Sequence, residues 1–574
     1  MSDRRGESAD GSGRTSQRPG GHPPGDWVGD WSGRRAAITP DRVGLVDATT
    51  GREFTYADLD ERANRCARWL ADHGVTRDGG VTSDGGVAPG DGSEGGGSGA
   101  VEGAESGNAA DVGGRVVVVS RNRPAFVDLF FATGKTGGVL APLSHRLAPP
   151  ELAELLDDVA PSLVVVEEPF ADDVRAALDQ VTSTGDCPVY SLAVDGEHTW
   201  PAYADALPDD GSPYDGPELA PGDAHLFLHT GGSTGTPKET VVSHEAIVWN
   251  SMNTITGWGL RPDDVTPLTF PMFHTGGWNV VTVPLFHMGG TVVVTRDVDP
   301  GGILSTVEER RATVLVAVPA VLRAMVEHDG WDDADLSSLR LVKSGGGPCR
   351  EAVMEAWWDR DVDLSQGYGL TECGPNNFAM PDDWPREKAD AVGVPNPHVD
   401  ARVVDDDGEE RPPGAVGELE LRSPHAAERY WRNPEETAST FGAASQRGSA
   451  PGWVSTGDLA RIDEDGYVSI VGRKKEMYVS GGENVYPAEV EDEIADHPAV
   501  DEVVVIAVAD EEWGEVGKAV VEGDDSLSLA DLREFLDGRL ARFKHPRHLA
   551  FVDEMPTSGP SKIDRGAVVE EFGE

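Results

Sequence analysis

HTGGSTGTPKETVVSH occupies residues 229–244. It follows the apolar run AHLFL and carries one lysine, Lys238, among glycines, serines and threonines. Bare glycine backbone lets N–H groups approach an anion closely, so the stretch suits a phosphate. A Walker A loop would need the lysine directly after glycine and a helix behind it. Here Lys238 follows Pro237 and precedes Glu239, so that pattern fails. GGSTG, residues 231–235, matches the G-x-S-x-G nucleophile elbow with Ser233 as nucleophile. That elbow must turn at once into a helix, and TPKETVVS reads as extended. A serine hydrolase at Ser233 stays as the rival from another class.

Outward from this stretch, helical and strand-like runs alternate. YADLDERANRCARWLADHG is helical in period, RVVVVS is a strand, PAFVDLFFATGKTG a helix. ELAELLDDVA, LVVVEE, TVVVT, ILSTVEERRA, TVLVAVP, AVLRAMVEH, LRLVKS and PCREAVMEAWW continue the theme. Such alternation indicates βαβ units and mostly parallel sheets, with ligands beyond the carboxyl ends of the strands. Past Asp390 short strands and tight turns predict a β-rich subdomain, and from Gly466 onward a compact α+β unit. The expected class is α/β, with a large N-terminal domain (31–474) and a small mobile α+β C-terminal domain (475–574). Residues 1–30 read as a disordered acidic and polar tail, and 77–113 as a flexible Gly-rich insert.

The 574 residues hold 101 acidic and 48 basic side chains, a formal net charge of −53. That argues against nucleic acid and against anionic membranes. No run is apolar enough to span a bilayer, and the N-terminus has no signal-peptide core, so a cytoplasmic protein without a membrane segment is expected. The acid is spread along the chain, as in a protein of a high-salt cytoplasm, and a halophilic archaeon is the expected source. Lysine is scarce; Lys238, Lys475 and Lys562 are among the nine. Cys66, Cys187, Cys349 and Cys373 form no CxxC, so neither zinc site nor disulfide framework is expected.

Further stretches accompany the opening one: FPMFHTGGW (270–278), SGGGPC (344–349), QGYGLTE (366–372), WVSTGDLARIDEDGY (453–467), GRKKEMYVSGGENVYPAEVE (472–491) and SGPSKIDR (558–565). Together, and in this order, they resemble the acyl-adenylate-forming superfamily over about residues 30–570, apart from the insert. The resemblance implies that a carboxylic acid attacks the α-phosphate of ATP, giving acyl-AMP and pyrophosphate, after which the thiol of coenzyme A displaces AMP. ATP, Mg²⁺ and coenzyme A are the implied cofactors, a small carboxylic acid the partner, and a homodimer is left open. Thr230, Gly231, Gly232, Ser233, Thr234, Gly235, Thr236 and Lys238 are implied in phosphate binding, Thr234 with a catalytic share. Gly345, Gly346, Gly347 and Tyr368 would form the adenine slot, with Gly369 and Thr371 beside it. Glu372 would hold Mg²⁺, Asp458 the ribose with help from Arg473, and His274 would gate the acyl pocket. Lys562 would be the catalytic lysine, Lys475 the hinge, and Gly481 and Gly482 would line the pantetheine path.

Three positions depart from the family pattern: Gly231 for Ser, Glu239 for Gly or Ala, and Ser561 for Gly. An acid beside a phosphate loop could repel ATP; strand alternation predicts that Glu239 points outward. FPMFHTGGW contains no carboxylate to pair an α-ammonium, which disfavours an amino acid. Trp278, Asn279, Val318 and Pro319 are expected to line an apolar pocket. A medium- or long-chain fatty acid is the first expectation. An aryl acid, or transfer to a carrier protein instead of coenzyme A, is the alternative.

Overall fold

The computed structural model describes residues 28–79, 112–181, 183, 187–192, 198–230, 238–442, 452–480, 483–510, 513–557 and 563–573. Most of the expected tail and insert lie outside the described residues. So do Gly231, Gly232, Ser233, Thr234, Gly235, Thr236, Gly481, Gly482 and Lys562. The chain leaves for the insert and returns at one spot, where Gly114 N donates to Thr76 O over 2.8 Å.

The alternating runs become the expected elements. Tyr56–Asp72 is a helix started by a reciprocal cap between Thr55 and Asp58. Pro124–Thr136 is a helix buried on nearly every face, and Gly137 ends it at φ 73°. A helix apolar all round belongs in an interior, and here Phe130 stacks on Trp278 with centroids 4.9 Å apart.

Among the described residues, five sheets carry the fold. A seven-stranded sheet runs in the order Arg429–Tyr430, Lys238–Ser243, Ala224–Thr230, Val139–Leu143, Arg115–Val119, Leu163–Val166 and Val189–Ser191. Its last five strands are parallel, and Lys238–Ser243 runs antiparallel to its neighbours. A four-stranded sheet is built on Val43–Asp47, Thr291–Val294 and Val265–Leu268, which are mutually parallel. A three-stranded parallel sheet joins Val314–Ala317, Leu341–Ser344 and Leu364–Gln366. Next comes the β-rich part, a six-stranded antiparallel sheet that includes Val454–Ile462 and Val468–Arg473. After the single turn Lys474–Glu476, Tyr478–Ser480 enters a separate five-stranded sheet packed with helices Pro487–Ala495 and Leu529–Leu536. This C-terminal unit touches the rest through Arg350, whose guanidinium bonds Glu502 at 3.0 Å.

All four cysteines are free, and Cys66, Cys349 and Cys373 are buried. Burial pushes the Cys349 thiol up to about 11. No helix among the described residues is long and apolar enough to cross a membrane.

Candidate active site

The described residues around the opening stretch form two strands. Ala224–Thr230 enters and Lys238–Ser243 leaves antiparallel, with Thr230 opposite Lys238 and His229 opposite Glu239. A strand, not a helix, follows the loop, so the nucleophile-elbow geometry for Ser233 is absent. A parallel strand delivers the chain to a Gly-rich loop at its carboxyl end, where open sheets bind ligands.

Lys238 has an 11% exposed side chain and bonds Glu436 Oε2 at 2.8 Å. Its ammonium also lies 5.4 Å above the ring of Tyr430. Tyr430 donates its hydroxyl to Glu372 Oε1 over 2.7 Å. Glu372 is 8% exposed, and its carbonyl takes the N–H of Ala427. Burial and the Glu372 charge hold the Tyr430 phenol above its usual range. Tyr430 engages one of the two Glu372 oxygens, Oε1. A hard cation held by one carboxylate plus phosphate oxygens is the usual arrangement for Mg²⁺. No cluster of three ligating side chains occurs among the described residues, so a fully protein-caged metal is not supported there.

Tyr368 and Asp458 come from different elements. Tyr368 donates to Asp458 Oδ2 over 2.5 Å, and Arg473 Nε reaches Asp458 Oδ1 at 2.9 Å. Asp458 and Arg473 are direct cross-strand partners, so sheet register puts the pair together. Burial raises the Asp458 carboxyl; Arg473 and Tyr368 oppose that and favour the charged form. Gly367 N donates to Ser344 O over 2.7 Å, tying the QGYGLTE stretch to the start of the glycine run. A β-carbon at Gly345 or Gly347 would meet nothing within 4 Å, and Gly346 sits at φ +89°. Bare backbone therefore faces open space here, as a flat base would need. Gly369 is a glycine for another reason: a β-carbon would overlap the Pro375 backbone at 2.0 Å. Thr371 precedes Glu372 and is half-buried.

His274 is exposed, with Phe273 edge-on at 4.5 Å and His229 at 5.7 Å. It thus stands beside the root of the Gly-rich loop. Trp278 is placed otherwise than expected. It is 0% exposed, and its indole N–H goes to Met272 O at 2.7 Å. Asn279 is buried too, and its carbonyl accepts from Asn250. Lys475 lies exposed in the turn that separates the two last sheets, while Lys474 beside it is paired to Asp406 and Glu418.

Glu239 requires a correction. It does not point outward; it is 1% exposed, and neither carboxylate oxygen has a partner among the described residues. Alternation fails as a guide because this sheet is covered on both faces. Burial, with Asp158 nearby, pushes the Glu239 carboxyl up to about 8, so it is uncharged at neutral pH. Repulsion of a phosphate from this position is therefore removed.

Tyr430 and Glu436 were not expected at the site. Tyr430 lies 58 positions from Glu372, and AERYWRN gives no local signal for that contact.

The AMP-binding enzyme family model matches residues 108–431, and the AMP-binding enzyme C-terminal domain model matches 489–562. The chain is 34% identical over 544 residues to a feruloyl-CoA synthase of Amycolatopsis sp., covering 94% of this chain and 98% of that protein. It is 37% identical over 461 residues to an indoleacetate–CoA ligase of Aromatoleum aromaticum, covering 79% and 87%. Among solved structures, ATP-bound MatB from Rhodopseudomonas palustris superposes with a TM-score of 0.79 at 29% identity, covering 96% of this chain and 99% of that one.

Proposed function

We propose an apolar carboxylic acid as the substrate of a chain that belongs to the AMP-binding enzyme family and is, by class, an ATP-dependent acid–CoA ligase. The observation that carries this reading is the Tyr368–Asp458–Arg473 arrangement. A buried carboxylate, bonded by a guanidinium and a phenol, suits the two hydroxyls of a ribose. The bare Gly345–Gly347 backbone leaves room for the base beside it.

In the reaction, the substrate carboxylate attacks the α-phosphorus of ATP and pyrophosphate leaves. The thiol of coenzyme A then attacks the acyl carbon and AMP leaves. Both reactants of the first step are anions, so the site must supply fixed positive charge and oriented donors. Thr230 and Lys238 frame the loop that would hold the β- and γ-phosphates. Mg²⁺, held by Glu372 together with the phosphates, would neutralise triphosphate charge. Lys562 is the proposed donor to the charge developing at the α-phosphate, and removing one such donor costs on the order of 10²–10³ in rate. His274, beside the loop root, is proposed as the gate to the acyl pocket. Lys475 is proposed as the hinge about which the C-terminal unit turns to bring Gly481 and Gly482 to the thiol.

Both named relatives take aromatic acids by their names, which supports an aryl acid alongside the fatty acid expected from an apolar site. The evenly spread charge of −53 supports a working place in a cytoplasm of molar salt.

The test is pyrophosphate release in molar KCl with ATP, Mg²⁺ and a panel of aryl and fatty acids, with and without coenzyme A. Acid-dependent release with AMP and thioester accumulating is expected. Release without thioester would move the enzyme to carrier-protein loading. Absence of release from every acid would overturn the reading.

A further inference from the structure

The turn between the two domains carries charges that the reaction itself does not use. Lys474 and Lys475 place two of the chain's nine lysines side by side. Their surroundings differ. Lys474 Nζ reaches Asp406 Oδ1 and Glu418 Oε2, each at 2.9 Å. Glu418 belongs to the strand Gly417–Arg422 of the six-stranded sheet and is 17% exposed, whereas Asp406 is open to solvent. Glu418 is therefore the firmer partner, because solvent screens it less. One residue earlier, Arg473 is fixed to Asp458 on the same sheet. The amino side of the turn is thus tied to the N-terminal domain at two successive residues.

The carboxyl side is tied to the other body. Glu476 Oε2 meets Arg565 Nε at 3.4 Å. Arg565 opens the last helix, Arg565–Phe572, and its fork is built into the C-terminal unit. One N–H goes to Val505 O at 3.2 Å and another to Glu491, whose Oε1 accepts the Val505 N–H at 2.6 Å. Two residues after Glu476, Tyr478 enters the five-stranded sheet.

Between these anchors stands Lys475, exposed and without an ion pair among the described residues. A backbone bond crosses the turn, Met477 N–H to Arg473 O, and at 3.3 Å it is a long one. Each residue holds two soft backbone dihedrals, and each residue set free must be fixed again in every productive pose. Landing one free residue in a defined pose loses less entropy than landing three.

Resting on the reading of Lys475 as the hinge, we propose that Lys474, through Glu418 and Asp406, and Glu476, through Arg565, are positioning residues that confine the swing of the C-terminal unit to Lys475. Each clamp lies within one body. Both therefore survive the swing and serve the two half-reactions alike. Glu476 also acts by charge on the Asp458 carboxyl, so the test is made on the Lys474 side.

The experiment compares wild type, Lys474→Met, Lys474→Arg and Glu418→Gln in the full chain. ATP–pyrophosphate exchange reads the first half-reaction, and thioester formation from supplied acyl-AMP reads the second. Lys474→Met is expected to lower kcat in both by about fivefold, the effect of one more backbone residue to be fixed. KM for ATP and the urea midpoint should stay unmoved, since a half-exposed pair adds little to global stability. Lys474→Arg should restore most of the rate, and Glu418→Gln should fall between. Spin labels at Asp332→Cys and Asp525→Cys, with Cys187→Ser, report the distance between the two bodies. Its distribution should broaden in Lys474→Met and narrow again in Lys474→Arg.

A distribution that stays unchanged in Lys474→Met overturns the proposal. So does a loss confined to one half-reaction, which would make Lys474 a latch for a single pose. A raised KM for ATP at constant kcat would make it a nucleotide contact, and a lowered urea midpoint that accounts for the loss would make it a stabilising ion pair; either overturns the proposal. The distance measurement needs no substrate. Failure of every acid to support exchange would sink the ligase reading, while the distances alone would still decide for or against the clamps.

Discussion

Lys238 and Glu239 are neighbours in the chain and opposites in the fold. Lys238 is paired: Glu436 lies 2.8 Å away and the Tyr430 ring beneath. Glu239 loses its charge by burial: among the described residues no partner reaches it, and its carboxyl rises to about 8. His229, directly opposite on the adjoining strand, behaves the same way and is pushed down to about 4. Successive side chains of the strand point to opposite faces, so pairing acts on the Lys238 side and desolvation silences the Glu239 side, although both faces of the sheet are covered.

The largest expected effect comes from a second paired charge, in the six-stranded sheet. Asp458 is the acceptor shared by Tyr368 and Arg473, and it is buried. Asp458→Ala removes the acceptor that Tyr368 and Arg473 share. Truncating one partner of a buried, hydrogen-bonded charge pair costs roughly 2–5 kcal/mol. A fall of about 100-fold or more in kcat/KM for ATP is expected, measured by ATP–pyrophosphate exchange, with Asp458→Asn retaining part of it. Exchange within threefold of wild type would detach this cluster from the nucleotide.

The silent side is tested by pH. The folded value of Glu239, about 8, lies above its ordinary 4.5. Between the two, the unfolded chain has released a proton that the native chain still holds. Stability therefore falls as pH rises from 4.5 to about 8 and is level beyond. Glu239→Gln removes this slope. It should add on the order of 4 kcal/mol at pH 8 and almost nothing at pH 4.5, read from urea midpoints in high salt. The buried histidines give the opposite limb. His225, His229 and His287 each lie near 4 in the fold against 6.5 outside it. The unfolded chain takes up protons first on acidification, so stability falls as pH drops from 6.5 towards 4. An unchanged pH profile in Glu239→Gln would mean that the carboxyl is solvated.

Legibility followed the range of the interactions. Alternating periodicity placed Arg115–Val119, Pro124–Thr136, Thr291–Val294 and Pro300–Arg310, because each is decided by residues within a few positions. The pairing of Asp458 with Arg473 was implied by family resemblance and is realised as a cross-strand contact. Tyr430 on Glu372 and Glu436 on Lys238 were not legible, since both contacts are made across long stretches of chain by a short edge strand and a helix. Glu239 was misread because alternation assigns a strand two faces, and both faces of this strand are covered. Trp278 was expected at a pocket and is packed against Phe130, for an aromatic ring in an apolar motif serves a core as readily as a ligand.

The smallest expected effect sharpens the comparison most, because it separates a charge's value to the fold from its value to a ligand. Lys238 and Glu436 are a partly exposed pair, so breaking them should move stability by no more than about 1 kcal/mol. The two single variants differ sharply in what they leave behind. Lys238→Met removes the cation from the loop, and KM for ATP should rise severalfold. Glu436→Gln leaves the cation and removes its competitor, so KM for ATP should fall by about twofold, at a cost in stability similar to that of Lys238→Met. Opposite signs in KM with like signs in stability would show that Lys238 is held ready by Glu436 and handed to the triphosphate on binding. Like signs in both measurements would reduce the pair to a surface ion pair, and the loop would then owe its phosphate affinity to backbone donors alone.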